Sequence, residues 1–252
     1  MFSVEDINGF LNKYKNYGEP KMIEYFCNDI NGKLFKIKNK LVKIITKVVH
    51  RKPFVQIDPP LTKSGKLELG DILLVLKDGT QVDSLRRASV LQVKKGKVKV
   101  SIPMHQWIFY RNIESYYISL GNNFKREKIR PKSKYFLNFL ICHNIFLMNN
   151  LIVNNREREI YYSIKVNPKS ISLLPICKIT VIPFNNFIFR FTEEKIGERL
   201  QRESNIRTLV KKLLEFVGLC PDPSIEFEDF SEEGIFAVII LEVLEHFRRA
   251  YS

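Results

Sequence analysis

Cysteine is scarce in this chain, and the few residues present stand apart. Cys27, Cys142, Cys177 and Cys220 are scattered over 252 residues. No C-x-x-C pair exists, which argues against a zinc ribbon and a disulfide scaffold and fits a reducing, cytoplasmic setting. His50, His105, His143 and His246 are as widely spaced, and without H-E-x-x-H or H-x-x-x-H zincin chemistry has no footing. "SGKLELG" lacks the spacing of a phosphate-binding G-x-x-x-x-G-K-[ST] loop, and neither G-x-G-x-x-G nor G-x-S-x-G occurs. The opening "MFSVEDINGFLNKYK" has no apolar h-region, so no signal peptide is expected. The longest apolar run, "IFAVIILEVL", is too short to span a bilayer and carries Glu242, so a soluble protein with no membrane partner is expected. Internal repeats and low-complexity tracts are absent as well.

What is present is a core and a charge asymmetry. A 45% hydrophobic content with 12% aromatics suffices for a packed interior. Residues 1–150 hold 27 Lys+Arg against 12 Asp+Glu, whereas residues 151–252 hold 14 against 15. The first stretch is thus +15 and the second −1, which together give the net +14 of the chain. A basic front half is the footprint of a protein that meets polyanions, with solvation by surface lysines the plainer reading. The asymmetry suggests a basic domain over 1–150 and a smaller α+β extension over 151–252. The acidic segment 222–245 in that extension is a candidate docking surface for a protein partner.

Ser3 to Asp6 has the form of a capping box opening a short helix, and Glu19-Pro20 starts a second, with Ile23, Phe26 and Ile30 at helical spacing. Strand character is expected around 42–57, followed by a basic loop at Pro59-Pro60 and "TKSGK". A hairpin then runs over about 71–77 and 86–95. "MHQWIFYRNIESYY" reads as a helix on which Trp107, Tyr110, Tyr116 and Tyr117 pack as core, with base stacking the alternative. "FKREKIRPKSK" reads as a surface loop, and 160–191 as β-rich pieces that include "FIFRF". Helices are expected at Thr192–Lys195, over "SNIRTLVKKLLEFVG", and over 235–249.

The hairpin carries the chemistry. Its first strand opens on Gly70-Asp71 and its second closes on Gln92-Val93-Lys94, so pairing about the turn sets Asp71 opposite residue 93. Side chains alternate along a strand, which sends Gln92 and Lys94 to one face. An acid, an amide and an ammonium therefore meet at one end of a sheet. Glu68, three residues before Asp71, reads as a solvated loop acid, with a second acid of the cluster as the alternative.

This arrangement resembles the motif of the PD-(D/E)xK nuclease superfamily, nearest the Mrr-like restriction endonucleases in which Gln replaces the acid of the second half-motif. The resemblance covers roughly residues 15–115. It implies an α/β fold, a mixed β-sheet flanked by helices with a restriction-endonuclease-like core. It also implies a Mg²⁺- or Mn²⁺-dependent endonuclease acting on DNA in defence against foreign DNA, with Asp71, Gln92 and Lys94 as the catalytic set. Asp71, Gln92, the Val93 carbonyl and a glutamate of the preceding helix, Glu19 or Glu24, would hold the metal. Lys63, Lys66, Arg86, Arg87, Lys95, Lys97, Lys125, Arg126, Lys128 and Arg130 would form a basic rim for nucleic acid, and double-strand cutting would favour a homodimer. The neutral Gln92 leaves an alternative open: an inactive nuclease-like subunit that binds nucleic acid or a protein partner in a larger complex.

Overall fold

The structure is a computed structural model and describes residues 1–79, 84–95, 100–120, 129–133, 135–142, 146–148, 163–167, 169–174, 181–202, 204–219, 230–231 and 234–246. In chain order the elements begin with β1 (Phe2–Ser3), α1 (Asp6–Lys13), α2 (Glu19–Ile30), β2 (Leu34–Ile37), β3 (Lys40–Val49), β4 (Lys52–Asp58) and β5 (Lys66–Glu68). The central hairpin is β6 (Ile72–Asp78) and β7 (Leu85–Lys94), followed by β8 (Val100–Pro103), α3 (Met104–Arg111), β9 (Tyr117–Leu120), β10 (Leu137–Ile141) and β11 (Phe146–Met148). The rest comprises β12 (Ser163–Asn167), β13 (Ser170–Leu174), β14 (Val181–Pro183), α4 (Phe184–Thr192), β15 (Glu198–Arg199), α5 (Asn205–Phe216), β16 (Phe230–Ser231) and β17 (Phe236–His246).

The architecture is mixed α/β. Among the described residues the main sheet runs β1-β2-β3-β17-β6-β7-β10-β11-β14, with β15 also on β7. β17 lies parallel to β6 and antiparallel to β3, and β10 lies parallel to β7, so the sheet is mixed. Two smaller sheets, β12-β13-β8 and β16-β4-β5 with β9 on β4, complete the strands.

Alternation along the strands divides the core into two layers. Ile72, Leu74 and Leu76 of β6 join the layer that holds Ile7 and Leu11 of α1, Phe26 of α2 and Phe187 of α4. Leu73 and Val75 join the opposite layer, with Trp107 and Tyr110 of α3 and Leu209 and Leu213 of α5. Helices thus flank the sheet on both sides.

Three expectations about single elements are corrected. The helix expected over 235–249 is the strand β17, inserted between β3 and β6. Phe236, Val238 and Ile240 enter one layer and Ala237, Ile239 and Leu241 the other, so the sequence lacks alternation because both faces are buried. "FIFRF" belongs to α4, where Phe184, Phe187, Ile188 and Phe191 line one buried face. Thr192 closes that helix and 193–197 turn away, with Glu194 at φ 57° and Gly197 at φ 87°. Strands from both sides of residue 150 hydrogen-bond into one sheet, so the charge boundary does not coincide with a boundary in the sheet.

Candidate active site

Asp71 is held by its backbone before its side chain does anything. Its N–H donates to the Leu91 carbonyl and its own carbonyl accepts from Ala237, both at 2.9 Å, which locks it between β7 and β17. Gly70 precedes it at φ 153°, where a Cβ would lie 2.4 Å from Val90 Cγ1 and 2.9 Å from the Tyr110 hydroxyl. Only glycine fits that close approach. The Tyr110 hydroxyl donates to the Leu69 carbonyl beneath it. Sequence dictates this corner through one glycine and one tyrosine.

The Asp71 carboxylate is 3% exposed and Gln92 2%, and they touch. Oδ2 accepts from the Gln92 side-chain amide and, at 2.7 Å, from the Val93 N–H. Oδ1 lies 2.8 Å from the Lys52 ammonium, which also reaches Glu68 Oε2 at 3.1 Å. Burial pushes the Asp71 pKa above the ordinary carboxylate value, opposed by Lys52, the Val93 N–H and Lys94. Burial also works against the Lys52 charge, but Asp71 and then Glu68 hold its pKa above the ordinary lysine value.

A charged carboxylate only accepts, so the Gln92 amide must turn its NH₂ toward Asp71. Its carbonyl oxygen Oε1 is then buried without a hydrogen-bond partner. Leaving such an oxygen unpaired costs about 1–3 kcal/mol, a cost that a bound cation would remove. Asp71, Glu68 and this amide oxygen are hard oxygen donors of the kind Mg²⁺ takes while keeping several waters. The donor types fit the ion, while the Lys52 ammonium lies against Asp71 Oδ1 and Glu68 Oε2. Among the described residues no group of three or more His, Cys, Asp and Glu converges as a metal site, so the amide oxygen is essential to that fit.

Lys94 is half-buried, and its charge is felt by Asp71 and by His105. Burial lowers the His105 pKa, Glu68 raises it, and Lys94 lowers it. Glu19, at the start of α2, accepts from the Lys95 N–H at 2.7 Å, while Glu24 stands 3.8 Å from His50 instead. The helix acid at the end of β7 is therefore Glu19. Val93, anticipated as a ligand through its carbonyl, contacts Asp71 through its N–H.

The basic rim is less gathered than anticipated. Lys63 is exposed in the loop after β4, Lys66 is half-buried at the start of β5, and Lys95 adjoins the site with its ammonium on the Tyr17 carbonyl. Arg86 pairs with Asp78 at 2.9 Å, and Arg87 donates to the Gly197 carbonyl at 3.0 Å. Both stand at the opposite end of β7, five or six residues and about 17–20 Å from Gln92 at strand spacing. They do not border Asp71. Arg130 lies near Tyr117, and Lys97, Lys125, Arg126 and Lys128 fall outside the described residues.

Comparison of the chain with protein-family models, curated proteins and solved structures gives no match. No family is assigned. No described helix is long and apolar enough to cross a membrane.

Sequence reasoning missed Lys52 and placed Glu68 in solvent. Lys52 lies 19 residues before Asp71 on another sheet, and nothing local marks it. Pairing of β4 with β5, in which Phe54 faces Glu68, brings the two together.

Proposed function

We propose that the protein is a Mg²⁺- or Mn²⁺-dependent endonuclease that hydrolyses DNA phosphodiester bonds, with a restriction-endonuclease-like core. The observation that carries this reading is the buried Asp71–Gln92 contact at the mouth of an antiparallel hairpin, with Lys94 two residues on and the Gln92 oxygen unpaired. Asp71 and the Gln92 oxygen would hold the ion, with Glu68 beside them. When bound, the ion would neutralise charge on the scissile phosphate and lower the pKa of an attacking water. Lys94 would face the charge that develops on the phosphate, in a low-dielectric setting where one fixed cation counts for more than in water. Glu19 ties the start of α2 to the Lys95 backbone and fixes the strand end that carries Lys94. A role in cytoplasmic defence against foreign DNA and a homodimer for double-strand cutting belong to the same proposal.

One observation favours a second reading. Lys52 already neutralises Asp71 and Glu68 from within the fold. A nuclease-like subunit that binds nucleic acid or a protein partner without cutting would keep such a pair. Six of the eight acids in the segment proposed for a partner lie outside the described residues; of the others, Glu242 sits on β17 and pairs with Lys77 at 3.0 Å.

Plasmid cleavage in Mg²⁺ or Mn²⁺ separates the two. The wild type is expected to cut, and Asp71→Ala and Lys94→Ala are each expected to cut at least about 100-fold more slowly, the scale of losing one aligned charge at a reacting phosphate. A wild type that never cuts, yet shifts DNA in a salt-sensitive way, establishes the second reading instead.

A further inference from the structure

The far end of β7 forms a second polar region. β15 pairs with β7 at Arg87 and Ala88, whereas β10 pairs with it from Val90 onward. The chain entering β10 and the chain leaving β15 diverge from this fork and enclose an open cleft of about 1160 Å³. Six cations line it: Arg87, Arg130, Lys132, Lys195, Arg199 and Arg202. All but Arg87 are exposed.

The opposing charge is small. Glu114 lines the cleft, and its main-chain carbonyl accepts from Arg130. Glu198 is buried, and its carboxylate accepts from the Lys132 and Ser133 N–H groups at 3.0 and 2.5 Å. It fastens one wall to the other. Burial pushes its pKa up, against those N–H groups and Lys132. Arg87 Nε makes no hydrogen bond among the described residues but lies 3.9 Å from Glu194 Oε2, and its guanidinium is anchored on Gly197. Tyr117, 39% exposed, lines the cleft with the Arg130 guanidinium 5.8 Å from its ring, and Tyr135 lines it as well.

We propose that this cleft binds a single-stranded nucleic acid, its phosphates on Arg130, Lys132, Lys195, Arg199 and Arg202 and a base on the Tyr117 ring. A cationic groove with an exposed aromatic face is the combination that holds an unpaired strand, since a duplex offers phosphates but keeps its base faces stacked. The cleft shares β7 with Gln92, which lies about 17 Å from Arg87 at strand spacing. The inference rests on the nucleic-acid reading of the protein but does not require the Asp71 centre to cut.

The test is fluorescence anisotropy of a labelled single-stranded oligonucleotide in EDTA over a range of salt, which removes cleavage from the measurement. Arg199→Ala/Arg202→Ala is expected to flatten the log–log salt slope by about 1.4, at about 0.7 per phosphate contact on a single strand. Tyr117→Ala is expected to weaken binding about tenfold with the slope unchanged, the size of one lost stacking contact. Lys36→Ala/Lys47→Ala, on β2 and β3 away from the cleft, is expected to bind as the wild type does. Melting curves confirm that each variant is folded. Cleft variants that bind like the wild type, control variants that lose as much, or duplex binding that equals single-strand binding and ignores Tyr117 would each overturn the proposal. Loss of plasmid cutting in Asp71→Ala with oligonucleotide binding intact bears on the catalytic reading alone.

Discussion

Asp71 is buried, charged partners surround it, and each contact answers a cost of burying it. Lys52 is the partner whose removal is most informative. Lys52→Met strands a buried carboxylate beside Glu68, and breaking a buried pair in this way typically costs about 3–5 kcal/mol. The double variant Lys52→Met/Asp71→Asn is expected to recover most of that loss, because no charge is then left behind. The sign of the pH dependence follows from Asp71, whose folded pKa is raised by burial. Such a group favours the folded state below its unfolded pKa and loses that contribution as pH rises through the folded value. Removing Lys52 raises the folded value further, so the penalty in Lys52→Met is larger at pH 7 than at pH 4.5. Urea denaturation of both variants at the two pH values checks it, and an equal penalty at both would remove Asp71 from the account. At this scale the acid, amide and ammonium were legible from Gly70-Asp71 and Gln92-x-Lys94, whereas Lys52 was not.

Elements were legible in proportion to how one-sided their burial is. α2 buries one face, Met22, Ile23, Phe26, Cys27 and Ile30, and its helical period shows in the sequence. α5 does the same and ends at Gly218, φ 75°, as its terminal glycine implied. β17 has no exposed face, so its period vanishes and length and composition alone leave helix and strand alike. Its β-branched Val238, Ile239 and Ile240 were the available signal. Ile239 pairs with Thr46 on one side and Leu74 on the other. Proline there removes a ladder donor and wedges a ring between two bonded neighbours. Ile239→Pro is expected to lose more than about 4 kcal/mol, in the range reserved for broken cores, and to leave little soluble protein. Near-wild-type urea stability of that variant would contradict a central β17.

For the whole molecule, insertion of β17 couples the two ends of the chain. Ala237 donates to the Asp71 carbonyl, so the C-terminal strand helps hold the residue that the hairpin presents. Two independent domains would unfold separately, whereas a shared sheet predicts one transition. Trp107 is the only tryptophan and is 7% exposed, stacked on Phe139 of β10 at 6.1 Å. Its fluorescence reports the layer on one side of the sheet, and far-UV circular dichroism reports every element. The two urea curves are expected to coincide, and separated midpoints would divide the fold despite its common sheet.

The sequence by itself determined the hairpin, the polar residues gathered at its end, and the amphipathic helices that cover the sheet. These depend on periodicity, on one glycine and on turn spacing, all local properties of the chain. Only the tertiary structure decided that β17 enters the sheet beside β6, that Lys52 and Glu68 join Asp71, and that Arg87 faces a separate cleft. Each of those joins residues far apart in sequence, where long-range strand pairing rather than local pattern fixes which side chains meet.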